Sequence, residues 1–354
     1  MFVFTKLILI LVIFLASCNK NDNVPLNTLS NNLTEAPCLP GQIEVVNGML
    51  KFPTRQDFFT TLNFLNCASN EQVEQWRNSF NLMTAQKAFV EFSNSTCIDE
   101  EFEITEAQLS QIIQSYNGKI REVTIDGNSH FEPLFRIYNE FANLDGVFMA
   151  ENSIMKVTSN ELIIVTDGDF NKLSSNIVSS EHKFVIQMDV GICPGMSCPA
   201  DLFRIKEYVS GSFRMVNIYN FDIQGGIFES HLAPNFYDLS LVVNMKIEGW
   251  SQRKSWFKWL CSSKSRLHHK LVSNGILQTT DIIYGNRIID WSVSDEVQRA
   301  CYISKKVPVA NFGELGISYG RAKDIINSFV LCIEHVDQKQ TNITDNVIND
   351  YFCL

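Results

Sequence analysis

The hydrophobic period of this chain changes near residue 150, and that change limits what the chain can fold into. Upstream, apolar residues recur at intervals of three and four; downstream they recur at intervals of two. The first spacing lines one face of a helix and the second lines one face of a strand, so one segment cannot satisfy both. The expectation is an α+β fold: a helical N-terminal segment followed by an antiparallel β-sandwich or barrel-like domain.

Helix starts recur in the upstream part. Thr54 with Asp57 precedes Phe58, Leu62 and Leu65; Ser69 with Gln72 precedes Val73, Trp76 and Phe80; Thr105 with Gln108 precedes Leu109, Ile112, Ile113 and Tyr116, with Gly118 as the stop. Each pair has the spacing of a capping box, in which residues three apart satisfy each other's free backbone amides. A further helix is expected from Pro133 to Asn143 through Leu134, Ile137, Tyr138 and Phe141. Trp76 and the phenylalanines read as core.

Strand signals flank these helices. Gln42 to Val46 and Met49 to Phe52 enclose Asn47-Gly48, the strongest short hairpin signal. Ile154 to Val157 and Leu162 to Thr166 form a second expected hairpin through Ser159-Asn160. Leu239 to Ile247 and Phe329 to Ile333 alternate, and Arg204 to Tyr219, Leu271 to Thr280 and Val297 to Lys305 add strands; no long helix is expected after residue 184.

The N-terminus carries an address. Lys6, the apolar run Leu7 to Ala16, and Leu15-Ala16-Ser17-Cys18 fit a bacterial lipobox, which is cut before a cysteine bearing a diacylglycerol. An apolar run of about ten residues falls short of the roughly 20 needed to span a bilayer, and matches a signal-peptide core instead. Polar Asn19 to Asn23 suits a tether between membrane and folded domain. The expected division is a signal peptide over 1–17, a tether over 18–40, a mainly helical region over 41–150 and a β-rich domain over 151–354.

Composition narrows the function classes. Hydrophobic residues make up 45% of the chain and phenylalanines number 26, which argues against disorder. A formal charge of −10 is wrong for general nucleic-acid binding, which needs clustered Lys and Arg on phosphates. Of ten cysteines, an odd number remains once Cys18 is lipidated, so at least one thiol has no partner within the chain. Cys193-Pro-Gly-Met-Ser-Cys198 is a turn sequence and the expected disulfide; it lacks the second pair a zinc site needs.

In this order of lipobox, Asn- and Asp-rich tether, Ile43-Glu44-Val45-Val46-Asn47-Gly48-Met49-Leu50-Lys51-Phe52, Phe- and Leu-rich helices and β-rich half, the chain resembles a family of uncharacterised Bacteroidota cell-envelope lipoproteins. The resemblance implies an envelope lipoprotein, assigns no reaction, and carries over no catalytic residue.

Candidate chemistry is sparse. Lys246, Arg253, Lys254, Lys258, Lys264, Arg266 and Lys270 surround Trp250, Trp256 and Trp259 with the single acid Glu248. Trp250, Trp256, Lys258 and Trp259 are the candidate ligand surface, for a glycan or an anionic headgroup; the plainer account is a hairpin with its aromatics, Phe257 among them, in the core. Asp167-Gly168-Asp169 with Asn171 alternates oxygen ligands as a calcium loop does, but lacks the closing Glu and reads as a polar turn. His268 and His269 are adjacent on a strand and face opposite sides. Glu229 and His231 share a face and could pair. No nucleophile elbow or phosphate-binding glycine motif occurs, and neither a metal nor a cofactor is expected.

The expected protein is held in the bacterial outer membrane through Cys18, periplasmic or surface-exposed. It is a non-enzymatic binding or interaction module for a glycan or an envelope protein. The alternative is a glycan or peptide hydrolase whose carboxylates or histidine are assembled by the fold.

Overall fold

A computed structural model describes residues 38–96, 104–125, 128–135, 137–159, 161–174, 182–187, 203–255, 258–261, 268–281, 285–298, 302–328, 330–341 and 347–352. Cys18, Cys193, Cys198 and Trp256 lie outside the described residues. Every element described below belongs to the unit Leu39–Leu354.

The first strands are β1 (Glu44–Val46) and β2 (Met49–Phe52), followed by α1 (Arg55–Cys67), α2 (Asn70–Asn78), α3 (Ala85–Thr96) and α4 (Glu106–Ser115). Then come β3 (Ile120–Ile125), β4 (Asn128–Pro133), β5 (Val147–Ala150), β6 (Ser153–Val157), β7 (Glu161–Val165), the single turn α5 (Asn171–Ser174) and β8 (Lys183–Gln187). The remainder is β9 (Phe203–Ser210), β10 (Phe213–Glu229), β11 (Phe236–Ser255), β12 (Lys258–Cys261), β13 (His268–Asp281), β14 (Gly285–Gln298), β15 (Tyr302–Ser318), α6 (Tyr319–Ser328), β16 (Val330–Thr341) and β17 (Val347–Phe352). Helices with mostly antiparallel sheets make an α+β fold, and among the described residues no sheet closes into a barrel.

One sheet runs β1-β2-β5-β6-β7-β8. Its single parallel pair, β2 with β5, explains where the helices go. Parallel neighbours need a long crossover, and α1 to α4 with the β3–β4 hairpin are that crossover. Residues 150 and 153 pair across a two-residue turn, so the change of hydrophobic period falls inside the β5–β6 hairpin of this sheet. In β6 the successive Ile154 and Met155 are both buried, as are Ile164 and Val165 in β7, because protein covers both faces. A second sheet runs β12-β11-β10-β9, with β15 also paired to β11, and a third runs β14-β13-β16-β17.

Local signals act as their chemistry dictates. Asn47 and Gly48 both adopt left-handed backbone (φ 51° and 73°), the geometry that joins β1 to β2 by a two-residue turn. All three expected capping boxes form: Thr54 with Asp57, Ser69 with Gln72, Thr105 with Gln108. The helix expected over 133–143 does not form. Tyr138 is left-handed there (φ 54°), Asn139 Oδ1 accepts from the Phe135 amide at 3.1 Å, and a single turn survives at the Ala142 amide. What overrides the pattern is Tyr138, whose buried hydroxyl donates to the Gly225 carbonyl of β10 at 2.8 Å and accepts from its amide. Two helices had no such signal. At α3 Thr84 caps Lys87, which cannot return the bond as an acid or amide would, and α6 buries Ala322 and Ile325, a short stripe.

The core is aromatic and has a centre. Phe58, fully buried in α1, lies against Phe52 of β2 (5.4 Å between ring centres), Phe141 (5.9 Å), Tyr138 (6.2 Å), Phe148 of β5 (6.1 Å) and Phe228 of β10 (6.2 Å). A second cluster joins Phe89 and Phe92 of α3, Leu109 of α4, Phe131 of β4 and Val216 of β10. Strand β10 therefore contributes to both clusters.

Phe58→Ala should lower unfolding free energy by about 3–5 kcal/mol, and Phe58→Leu by less than about 2 kcal/mol. Urea titration followed by circular dichroism measures both, and an alanine loss below about 1 kcal/mol would contradict a central role.

Candidate functional site

Charged groups converge where the start of α1 meets the β10–β11 connection. Arg55 occupies the first helical position of α1, where the helix dipole disfavours a cation. Its guanidinium is held by acids from elsewhere in the chain: it donates to Glu151 at 3.0 Å, to Asp238 at 2.7 Å and to the Glu229 carbonyl at 2.6 Å, and lies 5.1 Å from the centre of the Phe228 ring. Asp238 in turn accepts from the Gly316 amide of β15 at 2.9 Å. Burial alone would raise the Asp238 carboxyl, but the Gly316 amide, the Ser230 hydroxyl and Arg55 outweigh it and hold the group below its usual value.

A histidine centre adjoins this cluster. His182 Nδ1 lies 2.9 Å from Glu229 Oε1, 3.2 Å from the Tyr237 hydroxyl and 3.4 Å from the Thr166 hydroxyl. A carboxylate cannot face a ring lone pair, so the Nδ1 proton points at Glu229. Behind it, Tyr237 packs edge-on against Phe184 (5.1 Å) and lies near Tyr319 of α6 (6.2 Å). His231 Nε2 contacts the second Glu151 oxygen at 3.1 Å.

The backbone is strained here. Glu151, His182 and Asn235 are non-glycine residues with φ of 57°, 72° and 61°. Such conformations cost of order 1–3 kcal/mol each and persist only where surrounding contacts impose them. Glu151 takes the first place of the β5–β6 turn, where glycine would fit without strain, and there its carboxylate serves both Arg55 and His231.

Glu229 and His231, whose spacing would put them on one face of a continuing strand, take separate partners instead. Strand β10 ends at Glu229 and the period-two geometry stops with it, leaving Glu229 on His182 and His231 on Glu151. At Asp167-Gly168-Asp169 the Asp167 carboxylate is bonded to the Lys172 ammonium, Asp169 accepts from the Asn171 amide at 3.0 Å, and Gly168 supplies a left-handed turn. Among the described residues, no group of three or more His, Cys, Asp or Glu is placed to hold a metal ion. The backbones of Lys258 and Trp259 pair with Ser255 and Lys254 in the β11–β12 hairpin, while the side chains of Trp250, Lys258 and Trp259, and those of His268 and His269 on β13, lie outside the described residues. Cys38 and Cys67, which no spacing argument singled out, are both disulfide-bonded.

Arg55, Glu151, His182, Tyr237 and Asp238 escaped the sequence reading because none of them has its partner nearby in the chain. One signal was present: a cation at the first position of a capped helix needs acids from elsewhere to offset the dipole.

Asp238→Asn keeps the side-chain shape and removes the charge. A carboxyl lowered by folding contributes stability that is complete above its unfolded value of about 3.9 and is lost as pH falls through the folded value. The variant should be less stable than wild type by about 1–2 kcal/mol at neutral pH, with the gap shrinking below about pH 4. Urea midpoints at both pH values measure this, and an unchanged gap in acid would contradict it.

No family model matches the sequence, and no curated protein does. Among solved structures, the chain is similar to a DUF4848 family protein from Bacteroides thetaiotaomicron at 14% identity, over 88% of this chain and 100% of that one. The TM-score is 0.28, a superposition too loose to transfer anything to this chain.

Proposed function

We propose that this protein is a cell-envelope lipoprotein, anchored in the bacterial outer membrane through Cys18, that serves as a non-enzymatic binding module for an envelope glycan or protein. One observation carries the binding reading. The titratable groups that converge at α1 and the β10–β11 connection are matched to one another: Arg55 to Asp238 and Glu151, His231 to Glu151, His182 to Glu229. Pairing of this kind holds the shape of this end of the domain, and because a histidine on a carboxylate is also how a hydrolase orients its base, His182 is the residue that separates the two readings.

Other features support the setting. Cys38 and Cys67 are oxidised, as suits a compartment outside the cytosol. Among the described residues no helix is long and apolar enough to cross a membrane; in this reading the lipid on Cys18 carries the attachment. In this reading 1–17 is the signal peptide, 18–40 the tether, 41–150 the helix-bearing part and 151–354 the β-rich part. The ligand surface is the β11–β12 hairpin with Trp250, Trp256, Lys258 and Trp259.

Three measurements test the reading. In cells fed labelled palmitate, the wild type should take up label and partition with membranes, and Cys18→Ser should do neither; label retained by the variant would overturn the anchor. Trp256→Ala and Lys258→Ala should weaken retention on envelope polysaccharide at least about tenfold if indole stacking and the ammonium carry binding, and equal retention by folded variants sinks that surface. Purified protein should show no glycoside or peptide hydrolysis that depends on His182; turnover abolished by His182→Gln would replace the binding reading with a hydrolase.

A further inference from the structure

Next to the Arg55 cluster the chain exposes apolar side chains. Leu232 is 79% exposed, Leu315 75% and Phe236 40%. The fold builds this exposure. The pairing of β11 with β15 shifts register between Tyr237 and Leu239, so that Leu315 and Gly316 together oppose Asp238. Such a bulge re-aims a side chain, and this one requires the left-handed backbone of Gly316 (φ 63°), whose amide is held by the same Asp238 that Arg55 holds. Across from it, the connection 230–236 is closed by the Ser230 amide on the Phe236 carbonyl at 2.7 Å and projects Leu232, whose Cδ1 lies 3.6 Å from where a Cβ on Gly316 would be. Leu232 and Leu315 therefore stand together on one knuckle. The ionic side chains around it hold one another, Glu229 with His182 and Glu314 with Arg321, and the side chains projecting from the knuckle itself are apolar.

The chain also enters the domain at this end of α1. The Gly41 amide donates to Thr61 at 3.0 Å and the Gln42 amide to Asp57 at 2.9 Å, while Leu39 is 60% exposed just before them. Roughly 20 residues separate Leu39 from Cys18, and whatever their conformation they cannot reach beyond about 70 Å. A domain held that close to a bilayer meets lipid at high effective concentration, where a few inserted side chains suffice.

We propose that Leu232, Phe236 and Leu315 dock on the lipid surface that holds Cys18, entering the boundary between headgroups and acyl chains. This rests on the lipoprotein reading. The knuckle orients the tethered domain, and the residues from Arg55 to Gly316 keep it in shape.

The test uses the full lipidated chain reconstituted in vesicles of phosphatidylethanolamine and phosphatidylglycerol, with and without brominated acyl chains. Leu232→Trp and, separately, Leu315→Trp add an indole whose emission is read as the difference from wild type. Each should be blue-shifted and quenched by roughly half in brominated vesicles, as suits a side chain 5–10 Å into the boundary. Palmitate incorporation at Cys18 without quenching in either folded variant overturns the docking and leaves the anchor standing. Absence of palmitate from Cys18 overturns both. Sedimentation showing a dimer that Leu232→Asp dissociates overturns the lipid surface in favour of a second copy of the chain.

Discussion

The first turn of α1 is the constraint on which the rest of this structure depends. Within four residues it sends Phe58 into the aromatic core, Arg55 to the acids of the β5–β6 turn and β11, and Asp57 to the Thr54 amide and the incoming backbone at Gln42. The helix start is thus fixed from three directions. Phe58 stabilises through burial, because a buried phenylalanine removes an extensive apolar area from water. Arg55 works differently: its position against the helix dipole is unfavourable by itself, and it is retained because the acids around it would be uncompensated without it.

Strand β10 extends that constraint across the molecule. Its Phe228 meets the Phe58 cluster and its Val216 the α3–α4 cluster, while the Gly225 carbonyl accepts from the Tyr138 hydroxyl and the Gly225 amide donates to it. The left-handed backbone at Glu151, His182 and Asn235 lies just beside the ends of β5, β8 and β11. There, dense hydrogen bonding offsets backbone conformations that isolated residues would avoid. The result is a rigid base beneath Leu232 and Leu315.

Much of the local structure was legible in the sequence because its causes are local. Capping boxes act over three residues, and Asn47-Gly48 decides its hairpin alone. The misread segment, 133–143, has helical spacing, yet Tyr138 bonds to Gly225, far away in the chain, and the backbone follows that bond. Helix α3 lacked a reciprocal cap, so nothing in its first turn announced it. The candidate site was largely illegible for the same reason. Arg55 and Asp238 are 183 residues apart, and Glu229 and His231, adjacent in pattern, separate because the strand stops between them. The lipobox, by contrast, is read by an export enzyme as a linear motif, so sequence alone carries that expectation.

If the paired charges shape the domain, Arg55 and Asp238 must stabilise it jointly. A double-mutant cycle with Arg55→Met and Asp238→Asn, read by urea unfolding at neutral pH, measures this directly. The account predicts an interaction energy of about 1–2 kcal/mol, and additivity to within about 0.3 kcal/mol would contradict it.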